Sequence, residues 1–379
     1  MIKFYKYLSL LVVTLIMLNL SGSACSADII QLNNDIFKDF LIKNSQDILN
    51  NYNTQLNSFS NDLDDSLEQA YDKFYQNDFL GAIADCSIII EKNSKDMRAL
   101  YLRGLSKFQI KDFIGASTDI DEAIGLSLKD KFAYHVNALC KASIKDFDGA
   151  FANFKKALEI DPNYTEVYYA MGYYLVECQD YETAIYYFTK AIELNPNDMS
   201  SYGKRADCKF KLKDYQGAIN DYTKAIELDS NYIEAYYNRA TARTHLNTVD
   251  YQAVIDDLTK VIELDSNNLE AYYLRGVAQN DIGNYKSAIA DYTKVIEIDP
   301  KYTEAYSNRA ASKLNLGDYQ GAIIDSSKAI DIDSKCKEAY YNRALAKLNL
   351  GDYQGANNDS SKAIEIDAKF TEAYFSRAA

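Results

Sequence analysis

Six arginines in this sequence are each followed by an aspartate at a regular distance. The distance is sixteen residues in five pairs and eighteen in the other. A guanidinium facing a carboxylate can form an ion pair, hold a ligand or serve catalysis. Breaking a buried pair costs about 3–5 kcal/mol, whereas an exposed pair contributes about 0–1 kcal/mol, so burial decides how much such a pair matters. We interpret them as partly buried structural ion pairs: Arg103–Asp119, Arg205–Asp221, Arg239–Asp257, Arg275–Asp291, Arg309–Asp325 and Arg343–Asp359.

Other side chains with catalytic chemistry are few and far apart. The two histidines, His135 and His245, are too distant in sequence to suggest a metal pair or a Ser-His arrangement. Five cysteines follow residue 27, an odd number without paired short spacing, which favours small buried side chains over a zinc site or a disulfide framework. They are Cys86, Cys140, Cys178, Cys208 and Cys336. The sequence therefore predicts a non-enzymatic protein with no cofactor and no metal.

The composition narrows the possible partners. The 379 residues are 47% hydrophobic and 25% charged, which is typical of a folded chain that is too long for one ordinary core. The formal net charge is −14, and no basic run offsets it. Because nucleic acids are held mainly by clustered lysine and arginine, a nucleic-acid partner is not expected.

The chain repeats itself from residue 63 onward. Similar segments begin at residues 63, 97, 131, 165, 199, 233, 269, 303 and 337. The period is 34 residues, and two extra residues fall near 247–250, where we expect a turn. Below, "place" means the position of a residue within its repeat. A tyrosine usually stands at place four, alanine or glycine at place eight, and all three prolines at place 32.

This pattern resembles the tetratricopeptide repeat (TPR), a unit of two helices, A and B, joined by a turn. The resemblance covers residues 63–379 and implies an all-α, right-handed solenoid of stacked helix pairs. It predicts a partial tenth helix A at 371–379 after nine full repeats. Those repeats are 63–96, 97–130, 131–164, 165–198, 199–232, 233–268, 269–302, 303–336 and 337–370.

The backbone conformation of the turns explains which residues stand there. Gly317 can take the left-handed conformation that ends a helix A, and Asp318 can cap the exposed amides of the following helix B. Proline suits the first turn of a helix, where no amide bond is lost, and prevents helix B from continuing. Alanine or glycine at place eight lets two backbones approach closely.

The six arginines occupy place seven, where the TPR family usually has leucine. The spacing of each pair then predicts an ion pair between helix A and helix B of one repeat. Where the arginine is absent its partner usually changes as well. Asn137 is expected to face Asn153, and Met171 to face Tyr187, while Gln69 with Asp85 is a partial exception.

The resemblance also implies a binding surface. In TPR proteins helix A lines a concave groove, partly with places two, five and six. The residues expected there are Tyr169, Tyr237, Asn238, Tyr273, Asn308, Tyr341 and Asn342. Rings and amides can hold an extended peptide, and the glutamates at place two favour a cationic partner. The alternative is a solvated face that recurs only because the repeats were duplicated. The lysine and asparagine places of TPR proteins that bind acidic carboxyl termini are not matched.

The first 27 residues have the layout of an export signal. Lys3 and Lys6 precede an apolar run from residue 8 to 20 that is short for a membrane span, and small residues follow. Cys25 after Ala24 resembles the acylation site of bacterial lipoproteins, although Gly22 stands where that family prefers leucine. The expectation is export to the periplasm, anchoring in the cell envelope through a lipid at Cys25, or secretion, with an uncleaved membrane anchor as a third alternative. The whole chain resembles bacterial TPR-containing envelope proteins.

Two further expectations concern the ends of the repeat array. Residues 28–62 form an asparagine-rich linker or an N-terminal helix that covers the first repeat, because Ile36, Phe37, Phe40 and other apolar residues recur at helical intervals. At the other end the partial tenth helix A is expected to leave the array without the polar capping helix that usually ends a solenoid. The predicted function is a scaffold that binds a protein or peptide in the concave groove. The alternative is an assembly factor that associates with itself or docks through this uncapped end.

Overall fold

The computed structural model describes residues 61–378. These residues form nineteen α-helices and no β-strand, so the predicted all-α class is confirmed. The helices are α1 (Asn61–Tyr75), α2 (Phe79–Lys92), α3 (Met97–Gln109), α4 (Phe113–Gly125), α5 (Lys131–Ser143), α6 (Phe147–Ile160), α7 (Thr165–Glu177), α8 (Tyr181–Leu194), α9 (Met199–Lys211), α10 (Tyr215–Leu228), α11 (Ile233–Thr244), α12 (Tyr251–Leu264), α13 (Leu269–Asp281), α14 (Tyr285–Ile298), α15 (Thr303–Asn315), α16 (Tyr319–Ile332), α17 (Lys337–Asn349), α18 (Tyr353–Ile366) and α19 (Thr371–Ala378).

The odd-numbered helices are the A helices and the even-numbered ones the B helices. From α3 onward every A helix begins at the first residue of a predicted repeat, and α1 begins two residues before residue 63. The predicted signal at 1–27 with Cys25, and the predicted linker up to residue 60, lie outside the described residues. Of the helices between residues 61 and 378, none combines the length and the apolar character that a membrane crossing needs.

The helices belong to two compact units that divide after Leu212. The first contains α1–α9 and the second α10–α19. Within each unit, a helix A packs against the helix B that follows it, and that helix B packs against the next helix A. Several A helices also touch the A helix of the next repeat, as α15 touches α17. Burial in each unit therefore comes from neighbours along the chain, as expected for stacked repeats.

A left-handed residue and an aspartate form most turns between helix A and helix B. Lys145 between α5 and α6 has φ 65°, and Gly317 between α15 and α16 has φ 79°. The next residue caps helix B, as the Asp318 carboxylate accepts a hydrogen bond from the Gly321 amide at 2.9 Å. The left-handed residue therefore ends one helix and places the aspartate to start the next.

Small residues at place eight set the distance between the two helices of a repeat. A Cβ atom on Gly172 of α7 would lie 2.8 Å from Cε1 of Phe188 in α8. A Cβ atom on Gly276 of α13 would lie 2.8 Å from Cε1 of Tyr292 in α14. In both repeats the ring of helix B is buried against the glycine, so a larger residue would separate the helices.

Candidate functional site

The arginine at place seven joins two helices of its own repeat. Arg275 of α13 donates from Nε to Oδ2 of Asp291 at 2.9 Å and from Nη2 to Oδ1 at 2.7 Å. Both oxygens of the α14 carboxylate thus accept from one planar guanidinium, which is the strongest geometry for such a pair. The carboxylate is almost completely buried and the arginine is largely so. The same two-bonded arrangement occurs in Arg103–Asp119, Arg239–Asp257, Arg309–Asp325 and Arg343–Asp359.

The same arginine also reaches the preceding repeat. Nη1 of Arg275 donates to the hydroxyl of Thr259 in α12 at 3.1 Å. That hydroxyl donates in turn to the Ile255 backbone carbonyl one turn earlier, at 2.7 Å. Arg275 therefore connects α12, α13 and α14. The corresponding hydroxyl groups at place 25 are Ser87 for Arg103, Thr223 for Arg239, Thr293 for Arg309 and Ser327 for Arg343.

A second cation and an aromatic ring complete the site in several repeats. At place eleven, Lys313 lies 2.8 Å from the Asp325 carboxylate that Arg309 already holds. Lys107, Arg243 and Lys347 contact the aspartates of their own repeats in the same way. The guanidinium carbon of Arg309 lies 5.6 Å from the ring centroid of Tyr306 at place four, within the range of a cation–π contact. Below, "arginine network" means the arginine at place seven with its partners: the tyrosine at place four, the second cation at place eleven, the aspartate at place 23 and the hydroxyl group at place 25 of the preceding repeat.

The hydrogen bonds of the arginine network keep its arginines charged. The bond to Asp291 raises the pKa of Arg275, and the bonds to Asp119 and Asp359 do the same for Arg103 and Arg343. A guanidinium with a raised pKa gives up no proton at neutral pH. The arrangement can therefore hold helices together through a guanidinium that stays charged.

Repeats without this arginine have other side-chain contacts at place seven. Asn137 of α5 was expected to face Asn153 of its own repeat. Instead, its Nδ2 donates to Asp121 of α4 at 2.6 Å, and its Oδ1 accepts from the Ser117 hydroxyl at 2.7 Å. Asn153 donates to the Gly149 carbonyl within α6. An amide side chain is too short to span the distance that an arginine spans, so each asparagine takes a closer partner.

The remaining pairs fall outside this pattern. Lys73 at place eleven lies 2.6 Å from Asp85, so this aspartate is held although Gln69 stands at place seven. Met171 is buried in a cluster that Tyr187 packs against. Arg205 donates to Thr189 at 3.0 Å within the first unit. Its expected partner, Asp221, belongs to the second unit, and the Arg205–Asp221 pair stays a prediction.

The tyrosines expected to line the groove are partly covered by neighbouring rings. The ring centroid of Tyr273 lies 5.2 Å from that of Tyr302, and Tyr341 lies 5.4 Å from Phe370. In the first unit, Tyr169 lies 5.7 Å from Phe188. Tyr237 packs against the core formed with α12 and α13. Each of these tyrosines is half-buried.

A glutamate from the next helix A lies near each of three tyrosines in the second unit. Burial raises the pKa of Tyr237, and the charge of Glu270 adds to that effect. Burial and Glu304 act in the same way on the pKa of Tyr273. The pKa of Tyr341 is raised by burial and by Glu372. We call Tyr237 with Glu270, Tyr273 with Glu304, and Tyr341 with Glu372 the Tyr–Glu pairs.

The asparagines expected in the groove make contacts between helices. Asn308 of α15 donates from Nδ2 to the Tyr273 hydroxyl of α13 at 3.1 Å. Asn342 of α17 is buried, and its Nδ2 donates to the Ser307 backbone carbonyl at 3.0 Å. Asn238 is half-buried. Places five and six thus help to align successive A helices, which the sequence does not reveal because the partner is 35 residues earlier.

The histidines and cysteines do not assemble a reactive centre in the described part of the chain. His135 is buried in the first unit, where Nδ1 lies 2.7 Å from the Tyr164 hydroxyl, while His245 is exposed in the second unit. Between residues 61 and 378 no three histidine, cysteine, aspartate or glutamate side chains are placed to hold a metal ion. The five cysteines of this range are free thiols, and burial raises the pKa of Cys86 to about 12.

Family models give independent information on the repeats. A tetratricopeptide repeat model matches residues 165–198 and 269–302, and a second one matches 133–164 and 337–370. A TPR repeat model matches residues 206–243. A fourth model, also of the tetratricopeptide repeat, matches residues 291–324. Together these matches cover just over half of the chain. A search of curated proteins found no match.

Solved structures with similar folds are TPR proteins. The C-terminal part of a TPR repeat-containing protein from Cytophaga hutchinsonii is 17% identical with a TM-score of 0.59, and the alignment covers 64% of this chain and 98% of that one. YrrB, a TPR protein with an unusual peptide-binding site, is 24% identical with a TM-score of 0.46, covering 51% and 98%. A tetratricopeptide repeat protein from Parabacteroides merdae is 18% identical with a TM-score of 0.44, covering 65% and 97%. The Cytophaga structure shows a shared fold.

Proposed function

Because this chain is a tetratricopeptide repeat protein, we propose that it binds a peptide or protein segment on the A-helix face of its second unit. Proteins of this family are generally non-enzymatic scaffolds for protein interactions, and that coarser role applies here. The finer proposal concerns the groove and the kind of segment it takes. The Tyr–Glu pairs are the observation that supports this finer proposal.

The Tyr–Glu pairs combine two ways of holding a cation. Each tyrosine is half-buried, and the charge of its glutamate acts electrostatically on the tyrosine hydroxyl. An ammonium or guanidinium group near such a pair gains a cation–π contact and an ion pair at once. Glu270, Glu304 and Glu372 are exposed and therefore accessible to a partner. We propose an extended segment rich in lysine or arginine as the ligand.

A charge-matched pair of variants tests this proposal. The test variant carries Glu270→Gln, Glu304→Gln and Glu372→Gln. The control carries Glu227→Gln, Glu297→Gln and Glu365→Gln, which changes the net charge equally. These control residues lie on B helices of the same unit and pair with Lys224, Lys294 and Lys362. The probe is a fluorescent lysine-rich peptide, with a glutamate-rich peptide of equal length for comparison.

We expect the wild-type protein to bind the lysine-rich peptide and not the glutamate-rich one. The test variant should bind the lysine-rich peptide at least about tenfold more weakly, a loss of about 1.4 kcal/mol, and the control should differ little. A third variant with Tyr237→Leu, Tyr273→Leu and Tyr341→Leu should weaken binding at constant charge. Equal losses in test and control variants would mean nonspecific attraction to an acidic protein, and the groove proposal would fail.

We also propose that the protein works in the cell envelope. The support is the N-terminal sequence alone, with Lys3, Lys6, the apolar run and Cys25. Mass spectrometry of the mature amino terminus distinguishes the alternatives. A lipid on Cys25 supports anchoring, a free terminus after removal of the leader supports a periplasmic or secreted protein, and an intact Met1 argues against cleavage of the leader.

Self-association is a second candidate function, and one exposed tyrosine ring favours it. Tyr353 at place 17 of α18 is 66% exposed, whereas Tyr319 at the same place of α16 is half-buried. A second copy that covers this ring would bury apolar surface. Light scattering should then show growth with concentration that Tyr353→Gln abolishes. A monomer at all concentrations excludes this candidate.

A further inference from the structure

One side of α2 exposes large apolar residues. Leu80 is 69% exposed and Ile88 is 52% exposed, with exposed Ala84 between them. Residues four apart on a helix lie on one side, so the three form a stripe. Ile114 of α4, which is 68% exposed, holds the place that Leu80 holds in the preceding repeat. We call Leu80, Ala84, Ile88 and Ile114 the α2–α4 patch.

The α2–α4 patch is peculiar to the first two repeats. At place 18, where Leu80 and Ile114 stand, the later repeats have Asp148, Glu182, Gln216, Gln252, Lys286, Gln320 and Gln354. At place 26, where Ile88 stands, they have Glu122, Lys156, Lys190, Lys224, Lys260, Lys294, Lys328 and Lys362. The repeat fold therefore does not need apolar residues at these places. Clustered exposed apolar side chains usually mark a surface that something covers.

The chain itself supplies an apolar segment a short distance before α1. Residues 36–49 include Ile36, Phe37, Phe40, Leu41, Ile48 and Leu49. With 100° per residue on a helix, all of these except Leu49 fall within an arc of about 140°, which is the pattern of an amphipathic helix. Such a helix is stable only when its apolar face packs on another surface.

We propose that residues 36–49 form an amphipathic helix that docks on the α2–α4 patch of the same molecule. The connection is long enough, because the residues between Leu49 and Asn61 can extend over about 40 Å. The fourteen residues of α2 span only about 21 Å. Because the segment is tethered, docking is intramolecular and needs less affinity than capture of a separate protein. The first repeat thereby gains a cover on a side that no described helix occupies.

Hydrogen exchange measured by mass spectrometry tests this docking in purified protein that retains residues 28–60. The variant is Leu80→Gln, Ile88→Lys and Ile114→Gln, which introduces residues that later repeats carry at the same places and so should fold. The control is Ile324→Asn, which removes an equally exposed isoleucine from α16, where the next repeat has Asn358. Exchange within α1–α4 reports whether the repeats remain folded.

We expect amides of residues 36–49 to exchange slowly in the wild-type protein and in the control. In the triple variant they should exchange at least about tenfold faster, while α3 and α4 keep their protection. Exchange in the wild-type segment at the rate of an unfolded peptide overturns the proposal, and so does protection that the triple variant retains. Protection that appears only with added lipid vesicles, or only at high protein concentration, would assign the patch to a membrane or a second copy instead.

A disulfide trap provides a second measurement that does not depend on exchange rates. Phe40→Cys is combined with Ile88→Cys in a chain in which Cys25, Cys178 and Cys336 are serine. Docking predicts rapid oxidation to a crosslinked monomer. The matched pair Phe40→Cys with Ile324→Cys should stay reduced under the same conditions. A crosslink between two molecules, or equal rates for both pairs, counts against docking.

Discussion

At the scale of single residues, place seven shows how a buried charge can substitute for an apolar contact. A leucine there would fill the space between helices without any need for partners. An arginine must have its charge neutralised and its N–H groups hydrogen-bonded, because an unpaired buried charge is expensive. Asp291, Thr259 and the Tyr272 ring meet those needs for Arg275. A buried pair contributes little net stability over leucine, but losing one partner is costly.

Two neighbouring repeats allow the cost of a missing partner to be measured. In Arg275→Leu the Asp291 carboxylate keeps no cation, because place eleven is Gln279. In Arg309→Leu, Lys313 still holds Asp325. We expect Arg275→Leu to lower the free energy of unfolding by about 3–5 kcal/mol and Arg309→Leu by clearly less. Urea unfolding of both variants provides the comparison, and Arg275→Leu with Asp291→Leu should recover much of the loss. Equal losses for the two single variants would contradict this account of the arginine network.

His135 should make stability depend on pH. Burial lowers its folded-state pKa from about 6.5 to about 3, so between these values the unfolded chain binds more protons than the folded one. The contribution of His135 to stability is therefore fully present above pH 6.5 and is lost as pH falls toward 3, with a slope of at most about 1.4 kcal/mol per pH unit. His135→Gln should reduce the difference between thermal unfolding at pH 7 and at pH 5. His245→Gln is the control, and a His135→Gln variant that keeps the full wild-type difference would contradict the prediction.

At the scale of helices and turns, most turns between helix A and helix B require a left-handed residue, and the sequence places glycine there in only some repeats. The residue before the helix B cap is left-handed in the turns at Gly283, Gly317 and Gly351, but also at Lys145 and other non-glycine residues. An L-residue in this conformation loses about 1–2 kcal/mol relative to a right-handed one. Only glycine adopts it without that penalty. The glycine in "LGDY" is therefore a reliable sign of the turn, although its absence does not remove the turn.

Exchanging residues between two of these turns tests the requirement. Lys145→Gly removes the steric penalty and adds chain entropy to the unfolded state, so it should stabilise the protein by about 0.5–1 kcal/mol. Gly317→Ala places a Cβ at φ 79°, in open space, and should destabilise by about 1 kcal/mol. Because no atom lies near that Cβ, the backbone is the only cause. Thermal unfolding of both variants checks the opposite signs, and shifts in the same direction would contradict the explanation.

At the scale of the whole molecule, periodic features could be predicted and contacts between repeats mostly could not. The helix starts from Met97 onward coincide with predicted repeat starts because capping and small residues recur with the period. The arginine and aspartate pattern is visible in the sequence because both residues belong to one repeat and five of the six pairs have the same spacing. The hydroxyl sixteen residues before each arginine is just as regular, as with Thr259 and Arg275, but it lies in the previous repeat. Asn342 escapes prediction because its partner is a backbone carbonyl, which no residue type reveals.

Because the described helices contact only their neighbours along the chain, a destabilising substitution should affect only nearby helices. Phe154 of α6 is fully buried, and its ring packs against Tyr174 of α7 at a centroid distance of 6.1 Å. Phe154→Ala should cost about 3–5 kcal/mol. Because α1 and α2 have no contact with α6 comparable to those of α5 and α7, hydrogen exchange should accelerate in α5–α7 and change little in α1 and α2. Equal acceleration in all helices of the first unit would mean that the unit unfolds as one cooperative body. Faster exchange only in the repeat that carries Phe154→Ala and in its neighbours would show that each repeat is stabilised by the next one. The 34-residue period implies this dependence between neighbouring repeats.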